Sequence, residues 1–146
     1  MTAARLPSRL YAILDCGVAA ARGWAPLDLL RAFLDGGGRL IQIRAKELSS
    51  GALLRLADAA VAVAAPAGAV LIVNDRPDIA RLAGAAGVHV GQDDLPVAAV
   101  RRVVGDAAIV GLSTHTVEQV AAALQEPVTY VAVGPIFGTA TKATGY

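Results

Sequence analysis

The chain has 146 residues, 55% of them hydrophobic, 17% charged and 4% aromatic, and its 13 basic against 12 acidic residues leave a formal net charge of +1. So much apolar and so little charged sequence excludes a disordered chain, and the near-neutral balance gives no electrostatic footprint for nucleic acid or an anionic membrane. The single cysteine, Cys16, excludes an internal disulfide framework and a cysteine-rich zinc site, so one compact soluble domain of a reducing, cytoplasmic compartment is expected.

Leu10–Leu14 reads as a first strand, ending in Asp15. Pro26–Asp35 then has helical spacing, with Pro26 at a helix start, where a missing N–H costs least. Leu40–Ile43 is a second strand running into Arg44-Ala45-Lys46. Ser50–Ala65 is a helix, and Val70–Val73 a third strand ending in Asn74-Asp75. The longest uncharged apolar run, Ala59 to Val73, is 15 residues broken by Pro66 and Gly68. A membrane span needs about 20, so none is expected, and no signal peptide precedes it. Pro77–Ala83 is a helix, Val88–Val90 a strand leading into Gly91-Gln92-Asp93-Asp94, and Pro96–Val104 a helix. Ala108–Val110 is a strand followed by a loop, Gly111-Leu112-Ser113-Thr114-His115. Thr116–Gln125 is a helix, and Thr129–Val133 a sixth strand running into residues 134–142.

Strand and helix alternating every 20 to 30 residues predict a parallel sheet joined by crossover helices. Continuous apolar strands suit a sheet covered on both faces. An open doubly wound sheet and a (β/α)8 TIM-type barrel compete. Neither a dinucleotide-binding turn after the first strand nor a P-loop is present. Functional groups at nearly every strand end favour the barrel, because there all the strand C-termini meet around one pocket. A complete barrel takes about 250 residues. The chain therefore reads as one partial barrel domain over 1–146 that lacks strands seven and eight and leaves its edges open.

Gln42, Arg44 and Lys46 share a parity and point to one side of their strand. Three polar groups there are costly unless they bind something, and Arg with Lys suits a phosphate or diphosphate. The bland reading is snorkelling to solvent at the rim. Asn74-Asp75 ends one strand and Asp93-Asp94 follows its neighbour; neighbouring strand ends lie about 5 Å apart, so carboxylates from both can converge on Mg2+. The competing reading is that Asp75 or Asp94 caps the next helix, since Pro77 and Pro96 follow them by two residues. Ser113, Thr139 and Thr141 are hydroxyl donors on strand-end loops, suited to phosphate or heterocycle contacts, and Lys142 stands beside Thr139-Ala140-Thr141. His89, inside a strand, reads as a hydrogen-bonded core histidine. His115 serves either as an acid or base or as a helix-start contact. Cys16 has no basic partner nearby and reads as a bystander.

Five motifs occur in order: Ile-Gln-Ile-Arg-Ala-Lys (41–46), Val-Asn-Asp (73–75), Gly-Val-His-Val-Gly-Gln-Asp-Asp (87–94), Gly-Leu-Ser-Thr-His (111–115) and Gly-Pro-Ile-Phe-x-Thr-x-Thr-Lys (134–142). In order and spacing they resemble the thiamine phosphate synthase family over Leu10 to Tyr146. The resemblance implies a (β/α)8 barrel that joins hydroxymethylpyrimidine diphosphate to thiazole phosphate with Mg2+, releasing pyrophosphate by a dissociative route. It implies that Gln42, Arg44, Lys46 and Asn74 hold the pyrimidine diphosphate and that Asp75 and Asp94 bind Mg2+. Ser113 would lie by the reacting groups, Thr139 and Thr141 would serve the thiazole phosphate, and Lys142 would contact the departing pyrophosphate, with Ser113 and Lys142 as catalytic residues. The implied partners are these small molecules; a homo-oligomer stays open.

Ala45 stands where many members have Glu, and Gly138 where many have Pro. The family's phosphate-binding loops after strands seven and eight have no counterpart. A thiazole tautomerase, an isomerase with a His near the position of His115, is one rival; it would need no metal pair at Asp75 and Asp94. A non-catalytic barrel fragment is the other.

Overall fold

A computed structural model describes residues 6–137. Their elements run β1 (Ala12–Asp15), α1 (Cys16–Ala21), α2 (Pro26–Asp35), β2 (Leu40–Arg44), α3 (Ser50–Ala64) with a 3-10 turn at Ala65–Ala67, β3 (Val70–Asn74), α4 (Pro77–Leu82), β4 (Gly87–Val90), α5 (Val97–Val104), β5 (Ile109–Thr114), α6 (Val117–Ala123) and β6 (Tyr130–Val133). The six strands form one parallel sheet in sequential order.

The sheet is curled. Tyr11, just before β1, and Tyr130, in β6, stand at opposite ends of the strand order, yet their hydroxyls are 2.8 Å apart. This is the barrel-type arrangement expected from the strand-end chemistry; in an open sheet those strands would splay.

Side chains divide by strand parity. Leu14, Ile41, Ile43, Leu71, Val73, Val88, Val90 and Val110 point outward into the main core, where Leu30, Leu53, Ala57, Ile79 and Val100 from the helices cover them. Inward-facing Leu40, Ile72 and Ile109 form a second, smaller core with Tyr11 and Tyr130. The helix α3 with its 3-10 turn, Ser50–Ala67, is 18 residues at mean hydropathy 1.3, long and apolar enough by composition to cross a membrane. Here it covers the sheet: Leu53, Ala57, Ala60 and Ala64 are buried, and Arg55 and Asp58 face out.

Two elements depart from the sequence expectation. The six-residue α1 directly follows β1, because Asp15 Oδ1 caps it by accepting from Val18 N at 3.0 Å. Second, β5 runs on through Ser113 and Thr114, which the patterning gave to a loop. Gly111 interrupts the apolar run but not the ladder: Leu112, Ser113 and Thr114 stay in register with β6, and Thr114 Oγ1 donates to Ala132 O at 3.0 Å.

At Gly87 β4 approaches β5 so closely that a Cβ would lie 1.9 Å from Ile109 O. Gly87→Ala is therefore expected to cost about 2 kcal/mol or more, read as a lower urea midpoint. An unchanged midpoint would show that the strands part easily there.

Candidate active site

The parallel register stacks inward-facing residues in layers. Ile13, Gln42, Ile72, Gly87 and Ile109 lie level with one another in the lower layer. Above it Asp15 pairs with Arg44, and Asn74, His89, Gly111 and Tyr130 follow one another across β3 to β6. Higher still, Ser113 stands beside Ala132. The lower layer is apolar apart from Gln42; polar groups begin one layer up and end at the strand tips.

A pocket of about 180 Å³ opens at those tips, lined among others by Arg44, Lys46, Asn74, Asp75, Asp94 and Ser113. Six of the predicted residues thus meet at one mouth. Gln42 is inside the sheet but below the pocket: it is buried, and its Nε2 donates to Tyr11 Oη at 3.0 Å. Thr139, Thr141 and Lys142 lie outside the described residues. A larger hollow, about 530 Å³, runs along β1, α1 and α2 past Ile13, Val18, Trp24 and Phe33. Its lining is mostly apolar, whereas charged and polar side chains gather in the smaller pocket.

The acids are held by backbone devices. Asp75 has φ of 62°, a left-handed conformation that Asp tolerates better than most residues. Its N–H donates to His89 O at 2.8 Å, which fixes the turn off β3. Asp94 Oδ2 accepts from Gly91 N at 2.7 Å, folding its loop back over the β4 tip. Neither acid caps the following helix: the first residues of α4 and α5 receive no side-chain cap. That removes the bland reading of both carboxylates.

Burial raises the Asp75 carboxyl above its ordinary value, and the adjacent Asp94 carboxylate raises it further; Lys46 opposes both. Lys46 Nζ is 3.6 Å from Asp75 Oδ2, but the Lys46 side chain is 51% exposed, and such a pair is worth about 0.5 kcal/mol. Lys46 therefore offsets only part of what burial and the Asp94 carboxylate do to Asp75. Hard oxygen donors in a cluster with excess negative charge fit Mg2+.

The parity of β2 points Arg44 inward, toward a diphosphate. It reaches the pocket, and its Nη1 also pairs with Asp15 Oδ2. Burial pushes the Asp15 carboxyl up, but the Val18 N–H, the Arg44 guanidinium and the Gly17 N–H outweigh burial and hold it below the usual range. Asp15 is the residue the sequence reading passed over, although an acid at a strand end and level with Arg44 was the available signal. It fixes one edge of the guanidinium.

His89 is a hydrogen-bonded interior histidine, as expected, with Nε2 2.8 Å from Ser113 Oγ. His115 makes the helix-start contact: its N–H donates to Gln119 Oε1 at 2.7 Å, and its Nδ1 is 2.5 Å from Gly134 O. Burial, then the Asp15 charge, push the Cys16 thiol up, which keeps it an unreactive thiol.

With this geometry in hand, comparison with known proteins is decisive. A family model described as thiamine monophosphate synthase matches residues 10–145. The chain belongs to the thiamine monophosphate synthase family. Among family relatives, the thiamine-phosphate synthase of Roseiflexus castenholzii is 44% identical over 133 residues, covering 91% of this chain and 58% of that protein. The thiamine-phosphate synthase of Chlorobium luteolum is 46% identical over 122 residues, covering 84% of this chain and 58% of its own length. The solved thiamine phosphate pyrophosphorylase of Pyrococcus furiosus superposes with a TM-score of 0.79 at 26% identity, over 88% of this chain and 61% of that one. The chain thus spans a little under two-thirds of the length of these family members.

The Asp15–Arg44 pair makes stability depend on pH. A depressed folded-state pKa adds stability that is fully present above the unfolded value, about 3.9, and is lost as pH falls through the folded value. Asp15→Asn keeps a capping oxygen and loses the charge. It is expected to cost about 1–2 kcal/mol at neutral pH, with the difference from wild type shrinking below about pH 4. Denaturation at pH 7 and pH 3 measures this; a pH-independent difference would contradict it.

Proposed function

We propose that this chain carries the pyrimidine-diphosphate and metal part of a thiamine phosphate synthase, a transferase that joins hydroxymethylpyrimidine diphosphate to thiazole phosphate and releases pyrophosphate. The observation that carries the reading is the pairing of Asp75 with Asp94 beside Lys46 at adjoining strand tips, with Arg44 and Asn74 lining the same mouth. Family membership supports it, as do the names of the relatives.

In this reading Asp75 and Asp94 hold Mg2+, which supplies positive charge to the diphosphate when bound. Arg44 presents the face of its guanidinium not engaged by Asp15 and grips diphosphate oxygens as a fork; Lys46 adds a mobile point charge. Asn74 and Gln42 orient the pyrimidine end, Gln42 from the layer beneath. These groups stabilise negative charge as it builds on the leaving group. The bond between the methylene carbon and the diphosphate oxygen breaks and its electron pair leaves with pyrophosphate. The electron-rich aminopyrimidine carries the resulting cation, and the thiazole nitrogen supplies the pair for the new C–N bond. No protein nucleophile takes part. Ser113 offers a hydroxyl at the reacting end, Thr139 and Thr141 serve the thiazole phosphate, and Lys142 meets the departing pyrophosphate.

The test is thermal stabilisation by the pyrimidine diphosphate. Ligand at 100 times its Kd should add about 2.7 kcal/mol, and only with Mg2+ present. Asp75→Asn and Asp94→Asn should each abolish the Mg2+ dependence, and Arg44→Ala and Lys46→Ala should each weaken binding about tenfold or more. Absence of any shift would leave a non-catalytic barrel segment. Isomerisation of a thiazole precursor without Mg2+ would instead mean a tautomerase.

A further inference from the structure

A line of hydrogen bonds crosses the inside of the curled sheet and ends on Ser113. Gln42 Nε2 donates to Tyr11 Oη at 3.0 Å. The Tyr11 and Tyr130 hydroxyls are 2.8 Å apart. The Tyr130 hydroxyl is 2.8 Å from His89 Nδ1, and His89 Nε2 is 2.8 Å from Ser113 Oγ. The five side chains come from β2, the segment before β1, β6, β4 and β5 in turn.

Proton counting gives this line a direction. A phenol has one proton to donate, and a neutral imidazole has one N–H and one bare nitrogen. Gln42 can only donate through its amide nitrogen, so Tyr11 accepts there and its own proton goes to Tyr130. The Tyr130 proton then goes to His89 Nδ1. The ring proton is left on Nε2, where it is donated to Ser113 Oγ, and the Ser113 proton is directed away from His89. Running the line in reverse would strand the Tyr11 O–H in a buried setting, at about 1–3 kcal/mol. Burial raises the pKa of both phenols, with Tyr11 further raising that of Tyr130, so both keep the protons this scheme needs.

The fold makes room for the central bond. Gly111 lies between His89 and Tyr130 in the register. A Cβ there would be 2.1 Å from Tyr130 Cζ and 2.6 Å from His89 Nδ1. The two rings are nearly parallel, at 25° with centroids 5.6 Å apart, while Tyr11 meets Tyr130 edge-on at 81°.

We infer that Tyr130, braced by Tyr11 and Gln42, is a positioning residue that fixes His89 as its Nε2–H tautomer and so commits the Ser113 hydroxyl to donate into the strand-tip pocket, toward an acceptor atom of the bound ligand such as a heterocycle nitrogen or a phosphate oxygen. That this acceptor belongs to a substrate rests on the proposed function; the tautomer does not.

The experiment is NMR of the ligand-free chain with 15N-labelled histidine. His89 should show a protonated, pyrrole-like Nε2 and a bare, pyridine-like Nδ1. Gln42→Glu places a carboxylate where the amide donated, so Tyr11 must donate to it and the whole line reverses. The His89 pattern should then exchange, with Nδ1 carrying the proton. Tyr130→Phe removes the acceptor-donor link and should leave a mixture of both tautomers. Wild-type His89 protonated at Nδ1, or an unchanged pattern in a folded Gln42→Glu chain, would overturn the inference. If Gln42→Glu does not fold, the wild-type pattern decides alone. Correct tautomers without Mg2+-dependent ligand binding would sink the synthase reading and leave this one standing.

Discussion

Tyr11 and Tyr130 flank opposite ends of a six-stranded parallel sheet, yet their hydroxyls touch at 2.8 Å. Only a sheet rolled on itself allows that contact, and the roll turns pairwise contacts between neighbouring strand tips into one shared mouth. Rolled strands aim their C-terminal tips at one mouth, so residues 30 or more apart in sequence share a pocket. The same roll creates an interior that must be filled. Leu40, Ile72 and Ile109 fill its lower part with apolar side chains. Above them the filling turns polar and is satisfied internally: among the described residues, no buried side-chain nitrogen or oxygen lacks a hydrogen-bond partner.

Two kinds of polar residue therefore stand close together. Gln42, Tyr11, Tyr130 and His89 are paired with one another and are buried or half-buried. Asp75 and Asp94 are held by backbone N–H and carbonyl groups, and burial with the neighbouring Asp94 charge raises the Asp75 carboxyl despite Lys46. Lys46 is too exposed to neutralise them. A fold does not keep two acids in that state for stability, since protonating or replacing one would relieve it. The proposed function gives that cost a reason: a divalent ion and an anionic ligand would relieve the repulsion.

Most of the architecture was legible in the sequence because each strand is a short apolar run and each helix a longer periodic one. Pro26–Asp35 was placed to the residue. Hidden were features that depend on a neighbour rather than on the segment itself. The short helix Cys16–Ala21 exists because of the Asp15 cap. The continuation of β5 through Ser113 depends on pairing with β6, which a glycine in the run conceals. At the site, strand parity pointed Arg44 and Lys46 inward, and adjacent strand ends brought Asp75 and Asp94 to the same mouth. Parity alone could not say that Asp15 would hold Arg44, or that Gln42 would stop one layer short, because both depend on cross-strand register. Tyr11 and Tyr130 carry no local signal, since two aromatic residues 119 positions apart meet only once the sheet has curled.

The proposed divalent-cation site at the strand tips rests on Asp75 and Asp94. Paramagnetic broadening of backbone amide signals by Mn2+, a stand-in for Mg2+ with the same preference for oxygen donors, tests it most directly. A cation held there should centre the broadening on Asp75 and Asp94 and reach Gln92 and Ser113, with Leu40 and Val70 at the opposite end of the sheet far less affected. Broadening centred elsewhere, or none at saturating Mn2+, would contradict it.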